Sequence, residues 1–175
     1  MSVRRVLLFL LVILVGCTAS SETSTSSLSV VPSPTVAPVP ATCPRNISAK
    51  QLGKNDLPGI THALVPGDPQ VLVICEMPRF GSGNPKRIVV ADSTVVSQIT
   101  DALNRMKLTP QGSLFNCPVN YGPQPEAGLF FNYPDGGVLL VKVGLCPLAT
   151  NGRRAAMGPS SIWRLIQQAQ QDAPT

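Results

Sequence analysis

The side chains best suited to metal or redox chemistry here are five cysteines and one histidine in 175 residues. A zinc or thiol-redox centre draws its ligands from closely spaced pairs such as Cys-x-x-Cys. No such pair occurs, and His62 has no spaced partner and sits in the Gly/Pro-rich stretch Pro58-Gly59-Ile60-Thr61-His62. Gly81-Ser82-Gly83 lacks the Gly-x-Ser-x-Gly spacing of a nucleophile elbow and reads as a flexible turn. Among the carboxylates, Asp92 has the position of a helix cap, Asp101 of a solvated helix residue and Asp135 of a turn residue. Glu126 follows Pro125 in a loop, where it has the chance to pair with an arginine, and Glu76 stands near an apolar run. No two of these acids have the spacing of glycosidase or metal chemistry. The expectation is a protein that is not an enzyme, with no catalytic residue, no metal and no cofactor.

Cys17 has a different context. Arg4 and Arg5 precede the unbroken apolar run Val6 to Val15, and Leu14-Val15-Gly16-Cys17 closes it. A bilayer-spanning helix needs about 20 apolar residues; this run has the length of a signal-peptide core. The closing tetrapeptide resembles the lipobox of bacterial lipoproteins. That resemblance implies cleavage after residue 16, acylation of the Cys17 thiol (palmitate among the chains) and anchorage to the extracytoplasmic face of a cell membrane. Two or more acyl chains, at about 0.8 kcal/mol per buried methylene, suffice to hold a soluble domain. Elsewhere the run Val138 to Val141 is stopped by Lys142.

Export narrows the other chemistry. The formal charge is +5 from 14 basic and 9 acidic residues, and it falls to +3 once Arg4 and Arg5 are removed. Its densest points are Lys86-Arg87 and Arg153-Arg154, and aromatics make up 5% of the chain. Nucleic-acid binding needs a concentrated basic stripe with stacking rings, so no nucleic-acid partner is expected. The partners expected are the membrane, through the lipid on Cys17, and a protein or cell-wall component.

Thr18 to Thr42 holds 12 Ser or Thr and four Pro in 25 residues, with Glu22 its only charge. Such a stretch cannot bury enough apolar surface to offset its ordering entropy. It reads as a tether, coil-like at first and polyproline-like from Val31, with a reach on the order of 80 Å. Three regions result: signal peptide 1–16, lipidated cysteine and tether 17–42, and a single domain 43–175.

In an exported domain the four remaining cysteines, Cys43, Cys75, Cys117 and Cys146, read as two disulfides. Three pairings exist. Cys43–Cys75 and Cys117–Cys146 are favoured because each closes a loop of about 30 residues without interlocking the halves, and each is expected to contribute about 3–4 kcal/mol.

The elements that must position these residues follow from hydrophobic period. Val71 to Cys75 and Arg87 to Val90 are strand-like. Val95, Ile99, Ala102, Leu103 and Met106 recur at helical spacing behind an Asp92 or Ser93 cap, with Gln98, Asp101, Asn104 and Arg105 opposite. Leu129 to Tyr133 and Val138 to Val143 flank Asp135-Gly136, the dipeptide of a tight hairpin. Asn151-Gly152 marks another turn, and a terminal helix after Pro159-Ser160-Ser161 carries Ile162, Leu165, Ile166 and Ala169 on its apolar side. The order predicts an α+β domain: a small, mainly antiparallel sheet with two helices packed on it, stapled by two disulfides.

Two further resemblances concern function. Cys117-Pro118, the Asp-Gly hairpin, Gly144-Leu145-Cys146 and Asn151-Gly152 followed by arginine look like features of small secreted lipoproteins of actinobacteria and similar soil bacteria. That likeness, loosely over residues 71 to 166, implies an envelope location and no particular activity. Cys117-Pro118-Val119-Asn120-Tyr121, with Cys146 following, is similar to the reactive loop of Streptomyces subtilisin inhibitors. This implies that Val119 is the inhibitory contact with a serine protease. Against that family, the first cysteine pair is too far apart and a terminal helix replaces the final strand. The functional expectation is a non-catalytic binding or envelope-interaction domain; the alternative is a protease inhibitor.

Overall fold

The computed structural model describes residues 40–52, 54–78, 83–109, 125–146, 149–158 and 161–172. Cys17, nearly all of the tether, Cys117 and Val119 lie outside them. The elements are α1 (Ala49–Leu52), β1 (Val71–Glu76), β2 (Lys86–Val90), α2 (Ser93–Asn104), β3 (Lys107–Thr109), β4 (Ala127–Asn132), β5 (Val138–Val143), β6 (Ala149–Thr150), β7 (Ala155–Met157) and α3 (Ser161–Asp172). The seven strands form one sheet in the order β2-β1-β4-β5-β6-β7-β3, and every pairing is antiparallel. The α+β expectation therefore holds, with a larger sheet and one more short helix than the periodicity foretold.

Alternation sorts the central strands onto two faces. Leu72 and Ile74 of β1, Leu129 and Phe131 of β4, and Leu139 and Val141 of β5 share one cluster with Val96, Ile99 and Leu103 of α2 and Ile162, Ile166 and Ala169 of α3. The register makes the layers explicit: Leu72 stands opposite Phe131, and Phe131 opposite Leu139. Asp92 caps α2, its carboxylate accepting from Thr94 N at 2.8 Å and Val95 N at 3.3 Å. Gly136 takes φ +88° in the β4–β5 turn, and Asp135 Oδ1 accepts from Gly137 N, as the Asp-Gly reading requires.

The opposite face carries Val73, Cys75, Phe130 and Leu140, covered by Cys43, Ile47 and Leu52. So both faces are occupied, one by the long helices and the other by the N-terminal segment with α1. Gly128 fits this second layer: a Cβ there would meet Ile47 Cδ1 at 2.5 Å. A Cys43–Cys75 disulfide, with Cα atoms 5.5 Å apart, fastens the segment down. Of the two staples expected, this pairing is the one seen between described residues. Cys146 is disulfide-bonded as well, and Cys117 lies outside the described residues.

Candidate functional site: a polar groove beside helix α2

Between α1 and β1 the chain leaves the second face and reaches the helix side, where Ile60, Leu64 and Val65 join the larger cluster. This stretch is irregular, so its backbone groups need partners other than a ladder. Asparagine side chains provide many of them, because one amide carries an acceptor and two donors side by side. Asn55 accepts from Leu140 N at 3.1 Å and donates to Leu140 O at 2.8 Å, completing the edge of β5 past two-residue β6. Asn151, fully buried, donates to the carbonyls of Ile60, Ala63 and Leu64 at 3.0–3.2 Å. Its oxygen accepts from Arg153 N and Arg154 N at 2.9 and 2.7 Å. Asn104 of α2 exchanges both bonds with Val65, at 2.7 and 2.9 Å. Tyr133 donates its hydroxyl to Pro66 O at 2.7 Å, and Arg154 Nε donates to Thr61 O at 2.6 Å.

These clamps fix the rim of a groove. Gly67, Asp68, Pro69 and Gln70 form one wall, held at Val65 and Pro66 on one side and by Gln70 N donating to Asn132 O at 2.9 Å on the other. Ser93, Ser97, Thr100, Asp101 and Asn104 form the other wall, and the cavity between them is about 360 Å³. On α2, Ser93, Ser97, the adjacent pair Thr100-Asp101, and Asn104 follow one another at helical spacing, a polar stripe flanking the buried Val96, Ile99 and Leu103. Thr100 is only 7% exposed, and its Oγ1 is buried without a hydrogen-bond partner. An orphaned buried polar atom costs about 1–3 kcal/mol. The other such atom among the described residues, Asn132 Oδ1, belongs to a residue whose amide nitrogen already serves Val71 O and Phe130 O. Burial, with Asp135 and then Asp68 adding negative charge, pushes the Tyr133 phenol well above the usual tyrosine range, so the clamp on Pro66 stays a neutral donor.

The residues singled out from sequence fare differently. Cys43 and Cys75 come together. His62 is exposed on the clamped loop, its backbone N–H donating to Gly59 O at 2.8 Å. Glu126 pairs with Lys142 at 2.9 Å, a lysine where an arginine was the expected partner. Glu76 accepts from Gln170 of α3 at 2.9 Å. Asp101, read as a solvated helix residue, is exposed and pairs with Arg105 at 3.4 Å, and it also lines the groove. Asp68, Gln70, Ser97 and Thr100 were not foreseen; the one signal available was the polar stripe on α2, since the opposing wall comes from a loop without periodicity. Among the described residues no group of three His, Cys, Asp or Glu could hold a metal, and no helix is long and apolar enough to cross a membrane. No family model, curated protein or solved structure matches the chain.

Proposed function

We propose that the protein is a lipoprotein of the bacterial envelope whose stapled domain is a non-catalytic binding module, with the groove beside α2 as its ligand surface. Acylated Cys17 holds it at the extracytoplasmic face of the membrane, and the tether gives the domain reach toward a cell-wall or protein partner. The observation that carries the binding reading is a polar cavity of about 360 Å³ whose loop wall is held in place by side-chain clamps. A rim ordered in advance lowers the entropy cost of binding. The second staple in this reading is Cys117–Cys146, which non-reducing peptide mapping checks directly.

The test is crosslinking in intact cells followed by purification from membranes. The wild-type chain is expected to bring down a cell-wall fragment or protein, and Ser97→Trp, which fills the groove from an exposed helix position, is expected to lose it with an unchanged melting temperature. Cys17→Ala is expected in the soluble fraction. Equal recovery with Ser97→Trp, or a hydrolytic activity that vanishes in His62→Ala, would overturn the reading.

A further inference from the structure

We infer that the segment covering the second face of the sheet is an electrostatic docking surface for anionic phospholipid headgroups, which seats the domain on the bilayer with the groove turned outward; this rests on the anchor proposed at Cys17. Residues 40–56 carry Arg45, Lys50 and Lys54 against one acid, Asp56, and all three cations are exposed. Ile47 and Leu52, buried between them, belong to the second cluster, so the segment is apolar toward the sheet and basic toward solvent. Two further cations extend the patch. Arg87 stands opposite Cys75 in the β1–β2 register and so shares the second face, and it lines one cavity of about 320 Å³ with Arg45 and Cys43. Arg153 follows Gly152, whose backbone packs so closely on the segment that a Cβ would meet Leu52 O at 2.6 Å.

None of these five cations makes an ion pair with a described residue, whereas Lys142, on the same face, is neutralised by Glu126 at 2.9 Å. The two long helices across the sheet carry Asp101, Arg164 and Asp172, so the positive excess lies on the side of the cover. Where the chain enters decides the occupant. Pro40, the first described residue, is held here by Arg87 Nε, which donates to Pro40 O at 3.0 Å, and Cys43 is bonded to Cys75. Residues 18–39, 22 in all, separate Pro40 from Cys17. A membrane anchored at Cys17 therefore presents its headgroups to this face at high effective concentration, an advantage that a free polyanion lacks. Each cation close to an anionic bilayer changes occupancy about fivefold, and the attraction decays over about 8 Å at physiological salt. Single cations spread over a face match a surface of mobile headgroups better than one compact ligand.

The experiment places the full-length chain, purified from membranes, on vesicles of phosphatidylcholine alone or with about 30% phosphatidylglycerol. Energy transfer from Trp163, the one tryptophan of the chain, to a headgroup dye gives the docked fraction, and a headgroup photolabel mapped by mass spectrometry gives the face. The anionic vesicles are expected to raise the docked-to-free ratio about tenfold or more, with label on residues 40–56 and none on α2, and to lose that gain in about 0.5 M salt. Arg105 and Arg164 line a cavity formed by α2 and α3 and serve as the control. Lys50→Gln with Lys54→Gln should lower the ratio about tenfold, while Arg105→Gln with Arg164→Gln, an equal loss of charge, should leave it within about twofold. Equal transfer on both vesicles, label on α2 or α3, or equal losses from the two pairs would overturn the docking face. So would binding of a soluble anionic wall polymer without docking on anionic vesicles. A chain that washes off both vesicles would overturn the anchor at Cys17 and this inference with it; one held equally on both would leave the anchor standing.

Discussion

Asn151 ties two irregular stretches of the chain together. Its side chain serves five backbone groups, three of them 87 to 91 positions away in sequence. Asn151→Ala leaves those groups unpaired in a dry interior and is expected to cost about 3 kcal/mol, read as a lower urea midpoint; exposed Asn84→Ala should stay within about 0.5 kcal/mol. From sequence, Asn151-Gly152 was legible as a turn, and Gly152 does take φ +84°. Its buried amide was not, because the carbonyls it satisfies belong to a distant loop that no local pattern brings near. Tyr133 adds a pH signature. Its phenol is held above the ordinary value of about 10, so the folded state keeps a proton that the unfolded chain gives up. Stability is therefore unaffected below about pH 10 and falls as pH rises past it. Tyr133→Phe should remove that alkaline slope while costing about 1 kcal/mol at neutral pH through the lost bond to Pro66 O.

At the scale of elements, what could be read from the chain depended on length. α2, α3, β1, β2, β4 and β5 run five to twelve residues, long enough for a period of 3.6 or 2 to show. β3, β6 and β7 have three, two and three residues, too few to display one; they exist because β5 offers its edge to β6, β6 to β7 and β7 to β3. α1 did carry a local signal that went unread. Ser48 and Gln51 form a reciprocal capping box, with Ser48 N donating to Gln51 Oε1 at 2.8 Å and Gln51 N to Ser48 Oγ at 3.3 Å. The Asp92 cap, by contrast, was visible from sequence, and it starts α2 by accepting from Thr94 N and Val95 N. Asp92→Ala is expected to cost about 1 kcal/mol, checked by thermal unfolding, with the largest rise in hydrogen exchange at Thr94 and Val95.

Across the whole molecule, the two faces of the sheet are held by different means, and this predicts unequal stability. The helix face is covered by two twelve-residue helices with six buried apolar residues between Val96 and Ala169. The opposite face is covered by a short segment whose only regular element among the described residues is the four-residue α1. Such a segment has little helical stability of its own, so the Cys43–Cys75 bond, spanning 32 positions, does the holding. A loop of that length corresponds to roughly 3–4 kcal/mol in the loop-entropy model. Cys43→Ala with Cys75→Ala should lose about that much and should act unevenly. Exchange protection at Leu52 and Asn55 is expected to fall first, and a dye that binds apolar surface should report exposure of Val73, Phe130 and Leu140. The α2 amides, and with them the groove wall at Ser97 and Thr100, should keep their protection until global unfolding. Uniform loss of protection on both faces would mean that the N-terminal segment is integral to the fold and not a fastened cover. The unequal result would mean that the groove wall beside α2 stays rigid while the N-terminal segment, on the side of the anchor proposed at Cys17, loosens.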